Sequence, residues 1–353
     1  MTNDKKFTLR FSKYILNFKK PSGTSRGVMT EKETYFLVLT DEKSNVQGWG
    51  ECGLLRGLSF DDRPGYEEKL QWLVEHINDD RAKLMSQLAE WPSIKMGLEM
   101  AFLDFDNGGK HIYFDSDFTK GKKPISINGL IWMGSKDDML SQIEQKINDG
   151  FSCIKMKIGA INFKEELECL KFIRDHYDSN KIELRVDANG AFDPDDADYK
   201  LEDLAQYDIH SIEQPIRPQQ WDEMAELCRY SPIPIALDEE LIGIFQSDLK
   251  KSLLDVIQPH YIILKPSLIG GFESASEYVK LAEKRNIGWW ATSALESNIG
   301  LNAIAQWSAT TGNKMPQGLG TGSLYTNNLD GPTYVENGSL HYDTNFEFQT
   351  FLP

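Results

Sequence analysis

The sequence predicts an α/β protein in which a (β/α) barrel of the TIM type follows a smaller α+β domain. Three observations support this fold class. The chain has 353 residues, which is enough for a barrel of about 250 residues and one further domain. After about Pro124, short apolar runs alternate with amphipathic helical stretches, a pattern typical of parallel strands joined by helical crossovers. About eight strand candidates follow, and eight strands close a barrel of this type.

The first 120 residues predict strands followed by helices, the order that is typical of an α+β domain. The predicted strands are Phe7–Phe18 and Thr34–Thr40, and the predicted helices are Tyr66–Ile77 and Ala82–Leu103, the second interrupted by Pro92. Two glycine-containing stretches, Gly23–Gly27 and Gly53–Gly57, predict loops.

The rest of the chain supplies the barrel. Its candidate strands are Ile125–Trp132, Ser152–Ile158, Ile182–Asp187, His210–Gln214, Ile233–Asp238, Tyr261–Lys265, Gly288–Ser293 and, most weakly, Gln317–Gly320. Helices are predicted at Lys136–Gly150 and Phe163–Tyr177. An open doubly wound sheet is the alternative, but no G-x-G-x-x-G or Walker A pattern accompanies it. We predict a first domain over residues 1–120, a barrel over 121–325 and a strand-like tail over 326–353 that packs on the first domain.

The composition excludes several classes of function. The formal net charge is −16, so the chain lacks the basic surface that nucleic acids or anionic membranes require. The four cysteines are scattered without a C-x-x-C pair, which favours reduced thiols over a zinc site or a disulfide framework. The first residues show no signal or transit pattern, and no apolar run could span a membrane. We expect a cytoplasmic protein that binds a small molecule, and self-association into a homo-oligomer is compatible with this fold.

Two lysines occupy the second predicted barrel strand, CIKMKIG. Lys155 and Lys157 are two residues apart, so they point to one side of the strand, while Ile154, Met156 and Ile158 point to the other. Lysines that face a barrel interior are costly to bury as cations. A solvated lysine face is the alternative explanation of this spacing.

Acidic residues end the next strands. Asp187, Glu213 and Asp238 are separated by 26 and 25 residues, about one strand–helix unit each. A single acid after a strand is usually a turn former or a helix N-cap. Three on consecutive strands would converge, and converging carboxylates repel each other unless a cation joins them. Oxygen ligands with open positions suit Mg²⁺, with Mn²⁺ as the alternative ion.

Further polar residues follow the later strands. Lys265 lies 27 residues after Asp238, and in an eight-stranded ring it would face Lys157 across the substrate. A lysine beside a divalent cation and a second lysine has a lowered pKa and can act as a base. Thr292 and Ser293, followed by a helix that starts near Asn298, offer hydroxyl and N–H donors for an anion, although simple helix capping explains Ser293 equally well.

Two residues of the third strand region complete the candidates. Arg185 shares the inward side with Asp187, and its role is open between substrate binding and pairing with a barrel carboxylate. Asn189 lies in the Asn-Gly turn that follows Asp187. The candidate substrate-binding residues are therefore Asn189, Thr292, Ser293 and Arg185.

The ordered set K-M-K, D-A-N-G, I-E-Q-P, L-D-E and L-K-P-S resembles the muconate-lactonising branch of the enolase superfamily. This resemblance implies that the first domain caps the barrel mouth with two loops, for which the Gly23 and Gly53 regions are candidates. It also implies metal ligands at Asp187, Glu213 and Asp238, an acid/base lysine at Lys157 with Lys155 beside it, and an opposed lysine at Lys265. The shared chemistry is removal of a proton α to a carboxylate, with the metal stabilising the resulting charge.

Within this branch, S-A-L-E-S-N-I-G and G-L-G-T-G-S look most like the o-succinylbenzoate synthases. Dipeptide epimerases usually carry an acidic D-x-D at strand eight, where this chain has Gly318, Leu319, Gly320 and Thr321. The implied reaction is a syn-dehydration that yields 2-succinylbenzoate in menaquinone synthesis. The alternatives are an N-succinylamino acid racemase or dipeptide epimerase of the same branch and, in another class, a non-catalytic ligand-binding barrel.

Overall fold

The computed structural model describes residues 6–24, 27–159 and 161–348. The N-terminal unit contains three strands followed by three helices, and the order of strands before helices is the one that the sequence predicts. They are β1 (Phe7–Thr24), β2 (Gly27–Asp41), β3 (Gln47–Cys52), α1 (Tyr66–His76), α2 (Arg81–Gln87) and α3 (Pro92–Asp106). The strands form an antiparallel sheet in the order β1-β2-β3. Pro92 separates α2 from α3 because proline fits the first position of a helix and not its interior.

Two features of this unit differ from the prediction. The expected Gly23–Gly27 loop is the end of a β-hairpin, in which Gly23 pairs with Val28 and Thr24 with Gly27; Ser25 and Arg26 lie outside the described residues. Strand β3 was not predicted, because its sequence QGWGEC has two glycines and no alternation of apolar and polar residues.

The glycines of β3 are required by the close approach of α3. A Cβ atom on Gly50 would lie 1.9 Å from the carbonyl oxygen of Gly97, and one on Gly48 would lie 2.0 Å from that of Ala101. We expect Gly50→Ala to lower the free energy of unfolding by about 3 kcal/mol in urea denaturation, because helix and sheet would have to separate.

A control for Gly50→Ala is Gly57→Ala, which should cost only about 1 kcal/mol. A Cβ on Gly57 would meet nothing within 4 Å, although its φ is +78°. Equal stability of Gly50→Ala and the unmodified protein would contradict the steric explanation.

The chain between residues 125 and 310 alternates strands and helices. Its elements are β4 (Ile125–Ser126), β5 (Gly129–Ile131), α4 (Lys136–Asn148), β6 (Cys153–Lys157), α5 (Phe163–His176), β7 (Glu183–Asp187), α6 (Pro194–Ala205), β8 (Ile209–Glu213), α7 (Trp221–Tyr230), β9 (Ile235–Leu237), a 3₁₀ turn (Glu239–Leu241), α8 (Ser247–Ile257), β10 (Tyr261–Leu264), α9 (Pro266–Ile269), α10 (Gly271–Glu283), β11 (Gly288–Ala291) and α11 (Asn298–Thr310). Strands β5 to β11 form one parallel sheet in sequential order. The predicted fold class is confirmed.

The eighth predicted strand is reduced to a short bridge that closes the barrel. Gln317 bridges Ile127 and Gly318 bridges Thr292, both in parallel. The expected Gln317–Gly320 segment therefore has the right position and does not form a continuous strand, because Gly318 and Gly320 weaken strand structure. The predicted strand Ile125–Trp132 is also divided, since β4 pairs with the tail and β5 with the barrel.

The tail contacts both units. It forms a hairpin of β12 (Thr333–Glu336) and β13 (Ser339–Tyr342), and β13 pairs with β4 through Leu340 and Ile125. The side chain of Asn327 accepts from the backbone N–H of Asn17 at 2.8 Å and donates to the carbonyl oxygen of Ile15 at 2.7 Å, both in β1. The division at residues 120 and 325 stays a prediction. No helix in the described part of the chain has the length and apolar character needed to cross a membrane.

Candidate active site

The strand ends place the predicted polar residues side by side. In the parallel register, Lys155 lies opposite Arg185, Lys157 opposite Asp187, and Asp187 opposite Glu213. Asp238 directly follows β9, and Lys265 follows β10. The alternation expected for β6 is confirmed, because Ile154, Met156 and Ile158 pack into the apolar core under the helices.

The lysines and carboxylates form one buried network. Lys155 Nζ donates to Glu213 Oε2 at 2.7 Å and to Asp187 Oδ2 at 3.2 Å. Lys157 Nζ donates to the same Asp187 oxygen at 2.9 Å. Lys265 Nζ is paired with Asp238 Oδ2. The alternative of a solvated lysine face is wrong, since Lys155 is 4% and Lys157 9% exposed.

The environment gives the three lysines different basicities. Burial lowers the pKa of Lys157, and the nearby charges of Lys155 and Lys265 lower it further, against the opposing effect of Asp187. Burial also disfavours the charged form of Lys155, but Glu213 and Asp187 outweigh it and raise its pKa. For Lys265, Asp238 likewise outweighs burial and raises the pKa. Lys157 is therefore the lysine of this site that gives up its proton most readily.

The carboxylates also differ from one another. Burial alone would raise the pKa of Asp187, but Lys157 and Lys155 hold it well below its ordinary value. Burial, with Asp187 and Asp238 nearby, raises the pKa of Glu213 to about 7 in spite of Lys155. Asp187 and Asp238 thus oppose the ionisation of Glu213, and a cation between the three carboxylates would relieve this repulsion.

The donor set fits Mg²⁺, which the enolase-type fold implies. All three candidate ligands are carboxylates, and Glu213 Oε1 is buried without a hydrogen bond from any described residue. In residues 6–24, 27–159 and 161–348, however, no three His, Cys, Asp or Glu side chains lie close enough to hold an ion as they stand. The ammonium groups of the lysines are hydrogen-bonded to the carboxylate oxygens instead, so a metal cation would compete with these ammonium groups.

A cavity of about 970 Å³ opens above this network. Lys155, Lys157, Asp187 and Lys265 lie on its barrel side, whereas Glu213 and Asp238 are not among its lining residues. The N-terminal unit contributes two segments to the lining of the cavity. One is the end of the β1–β2 hairpin, on both sides of Ser25 and Arg26, and the other is Leu55–Leu58. Both regions expected to cap the barrel thus border the cavity, which has the size of a small-molecule site.

The four candidate substrate-binding residues have different surroundings. Asn189 and Thr292 line the cavity, and Thr292 Oγ1 is buried without a hydrogen-bond partner among the described residues. Asn189 Oδ1 accepts from Lys157 Nζ at 2.8 Å. Ser293 also lines the cavity, but its hydroxyl donates to Glu296 at 2.8 Å and accepts from Thr321 at 2.9 Å.

Arg185 does not line the cavity. Its Nε donates to Glu183 Oε1 at 2.7 Å, Nη1 donates to the carbonyl oxygen of Pro316 at 2.9 Å, and the guanidinium lies 4.0 Å from the ring centre of Trp290. Its side chain is fully buried inside the barrel. These contacts match the structural alternative, and we do not include Arg185 in the proposed substrate site.

The N-terminus of α11 is not available for a substrate anion, contrary to expectation. The carboxylate of Glu51, in the cap, accepts from the backbone N–H groups of Ser297 at 2.9 Å and Gly300 at 2.8 Å. The N–H of Asn298 donates to Asn328. The sequence did not predict this because Glu51 lies 246 residues away from Ser297, and nothing local connects the two positions.

One further polar residue of the site was missed. Glu239 Oε1 accepts from Asn189 Nδ2 at 3.1 Å, which orients the amide toward Lys157. Glu239 directly follows Asp238 in the run L-D-E-E. The chain turns sharply into a 3₁₀ helix at this point, and the side chain of Glu239 therefore reaches the same network. Strand alternation does not predict such a turn.

Comparison with known proteins agrees with this architecture. Residues 138–345 match the enolase C-terminal domain-like family. The chain is 46% identical to an o-succinylbenzoate synthase of Desulfotalea psychrophila, over 94% of this chain and 98% of that protein. The crystal structure of MenC from Desulfotalea psychrophila superimposes with a TM-score of 0.84 at 42% identity, covering 95% of this chain and 99% of that one.

A more distant neighbour shares the fold. It is a dipeptide epimerase from Cytophaga hutchinsonii, complexed with Mg and the dipeptide D-Ala-L-Val, with a TM-score of 0.82 at 20% identity over 95% of this chain and 93% of that one. The family match and the 46% identity over 94% of this chain show the family. The chain belongs to the enolase C-terminal domain-like family and, within it, to the o-succinylbenzoate synthases.

Proposed function

We propose that this chain catalyses the syn-dehydration of 2-succinyl-6-hydroxy-2,4-cyclohexadiene-1-carboxylate to 2-succinylbenzoate, a step of menaquinone biosynthesis. The observation that carries the proposal is the position of Lys157, which lies at the cavity wall with a lowered pKa, inside a network of carboxylates. The 46% identity over nearly the whole chain supports the choice of reaction.

Asp187, Glu213 and Asp238 are the proposed ligands of Mg²⁺, or of Mn²⁺ in its place. Their oxygen-only donor set and the unsatisfied Glu213 Oε1 support this assignment. When bound, the ion would polarise the substrate carboxylate and stabilise the negative charge that forms as the neighbouring proton leaves.

Lys157 is the proposed acid/base residue. In its neutral form, Nζ takes the proton from the carbon that carries the carboxylate. The C–H electron pair is delocalised into that carboxylate until it forms the new ring double bond as the hydroxyl leaves. The resulting ammonium then gives the proton to the departing hydroxyl, so that the C–O bond breaks and water leaves as the ring becomes aromatic. One group on one face performs both transfers, which gives syn elimination.

Lys155 and Lys265 are the proposed cationic groups of the site, since nearby carboxylates raise both pKa values. Lys265 also lines the cavity, and it is the proposed positive charge for electrostatic or cation–π attraction to an unsaturated ring. Asn189 and Thr292 are the proposed polar contacts of the substrate, because both face the cavity.

The cavity favours a substrate without an amino group. Among its described lining residues, the acids are Asp138 and Asp187. The strand-eight positions that line it are Gly318, Gly320 and Thr321, so no carboxylate is offered there to an ammonium group. A small dicarboxylate is therefore the proposed substrate class. The four buried and unpaired cysteines are consistent with a reducing, cytoplasmic location.

The test is an assay of the purified protein with the cyclohexadiene substrate and Mg²⁺, followed by loss of the diene absorbance. We expect rapid turnover that a chelator abolishes and added Mg²⁺ restores. Absence of turnover, together with exchange of the α-hydrogen of both enantiomers of an N-succinylamino acid with solvent deuterium, would replace this proposal with a racemase.

A further inference from the structure

Three ionisable side chains that the proposed chemistry does not use are buried together between the cap and the barrel. Lys32 lies on β2, Glu51 on β3, and Glu296 in the loop before α11. Lys32 is 3% exposed and both glutamates are fully buried. Buried charges are costly unless they are paired or hydrogen-bonded, so this cluster needs a physical explanation. We call these three residues the interface triad.

Glu51 attaches the cap to the start of α11. Its carboxylate accepts from the Ser297 N–H at 2.9 Å, the Ser297 hydroxyl at 2.5 Å and the Gly300 N–H at 2.8 Å. Thr34 of β2 donates to the same carboxylate at 2.9 Å. A negative charge at a helix N-terminus is favoured by the helix dipole and by the otherwise unpaired N–H groups. Glu51 therefore acts as an intramolecular anion that docks the cap.

Glu296 holds the neighbouring wall of the cavity. It accepts from the Ser293 hydroxyl at 2.8 Å, the Ala294 N–H at 2.7 Å and the Ser267 hydroxyl at 2.5 Å. Between these contacts, Leu295 has a φ of +64°, a conformation that a leucine adopts only when its surroundings impose it. Ser293, Ala294 and Leu295 all line the cavity.

Lys32 supplies the positive charge of the triad. Its Nζ is buried and donates no hydrogen bond to a described residue. Burial lowers the pKa of Lys32, and the charges of Glu51 and Glu296 oppose that effect. Without this lysine, two buried carboxylates would face each other without a cation.

The two walls of the cavity meet at this cluster. Glu51 is followed by Cys52, Gly53 and the cavity-lining segment Leu55–Leu58. Gly53 itself packs against Glu296 so closely that a Cβ would lie 2.9 Å from Glu296 Cγ. The cap segment and the barrel segment are thus positioned by groups that touch each other.

We propose that Lys32, Glu51 and Glu296 are positioning residues that fix Leu55–Leu58 and Ser293–Leu295 as the two walls of the substrate cavity. The effect on substrate affinity rests on the proposed function, whereas the effect on the two wall segments does not. Glu51→Gln is the first test, because an amide cannot accept hydrogen bonds through its nitrogen from α11.

For Glu51→Gln we expect KM to rise about tenfold while kcat stays within about threefold, since the lysines and the carboxylates of the site are untouched. Amide hydrogen exchange in residues 53–58 and 293–297 should accelerate about tenfold without any substrate. Lys32→Met should act in the same direction. The double variant Lys32→Met/Glu51→Gln should be less impaired than the sum of the two changes, because it removes one charge of each sign.

Glu99→Gln is the matched control. Glu99 is a carboxylate of the cap helix α3 that accepts from the N–H groups of Phe272 at 2.7 Å and Glu273 at 3.0 Å, at the start of α10. It docks the cap on a barrel helix in the same manner, but neither it nor its two partners line the cavity. We expect Glu99→Gln to leave KM and the exchange of the two wall segments within about twofold of the unmodified protein.

Several outcomes would overturn the proposal. Equal effects of Glu51→Gln and Glu99→Gln on KM would indicate general cap docking, and a fall in kcat at constant KM would indicate a role in the chemistry. If the unmodified protein does not turn over the diene, the proposed function fails, and unchanged exchange in Glu51→Gln would then separately refute the positioning role. Should Glu51→Gln not fold, Thr34→Val removes a single donor to Glu51 and is judged by the same exchange measurement.

Discussion

Replacing Lys157 with alanine is expected to lower kcat by about 10³- to 10⁴-fold, because one amine would perform both the proton abstraction and the protonation of the leaving hydroxyl. This corresponds to about 4 to 5.5 kcal/mol of lost transition-state stabilisation. The expectation depends on the lowered pKa of Lys157, which makes its neutral form accessible, and on its place at the cavity wall. Loss of the diene absorbance at saturating substrate measures the effect.

Metal affinity should not fall in this variant. Lys157 Nζ donates a hydrogen bond to Asp187 Oδ2 at 2.9 Å. Removing this amine takes away a competing cation, so the Mg²⁺ affinity measured by calorimetry should be equal or higher. Lys265→Met is the informative comparison, because Lys265 has a raised pKa and is proposed to act only through its charge. It should retain more activity than Lys157→Ala. Near-normal turnover of Lys157→Ala would exclude it as the base.

The strand ends of the barrel could be predicted from the sequence because their geometry is local. Lys155 and Lys157 share a side through the two-residue repeat of a strand, and Asp187 and Glu213 become neighbours through the parallel register. Each inference needs only a strand and its adjacent partner. The eighth predicted strand is reduced to a bridge where glycines replace the apolar pattern on which the prediction depends.

The contacts between the cap and the barrel could not be predicted in this way. Glu51 binds Ser297, which is 246 residues distant, and Glu99 binds Phe272 across 173 residues. Neither glutamate belongs to a motif, and each looks like an ordinary surface acid until the two units are docked. The N-terminus of α11 shows why. Its affinity for an anion could be predicted from the sequence, but only the tertiary structure shows that the anion is the carboxylate of Glu51.

The pairing of lysines with carboxylates also changes what a metal-ligand variant should do. Glu213→Gln is expected to weaken Mg²⁺ binding at least about 100-fold and to lower kcat/KM at least about 10³-fold. The amide keeps the size of the side chain but cannot supply a negative charge or a second oxygen, and Glu213 Oε1 is the oxygen that receives no hydrogen bond from a described residue. Calorimetry with Mg²⁺ alone measures the first effect, and the diene assay measures the second.

Glu213→Gln should also change the pKa of Lys155, which is an effect beyond the loss of one metal ligand. Glu213 is the largest of the three charges that raise the pKa of Lys155, ahead of Asp187 and Asp238. The variant should therefore make this lysine easier to deprotonate and should not be rescued by excess Mg²⁺ alone. Glu277→Gln is the matched control, because Glu277 also pairs with a buried lysine, Lys250, at 2.6 Å, but lies outside the cavity. It should bind Mg²⁺ and turn over substrate like the unmodified protein. Full activity of Glu213→Gln, with unchanged Mg²⁺ affinity, would remove Glu213 from the metal site and leave the carboxylate–lysine network with a purely electrostatic role.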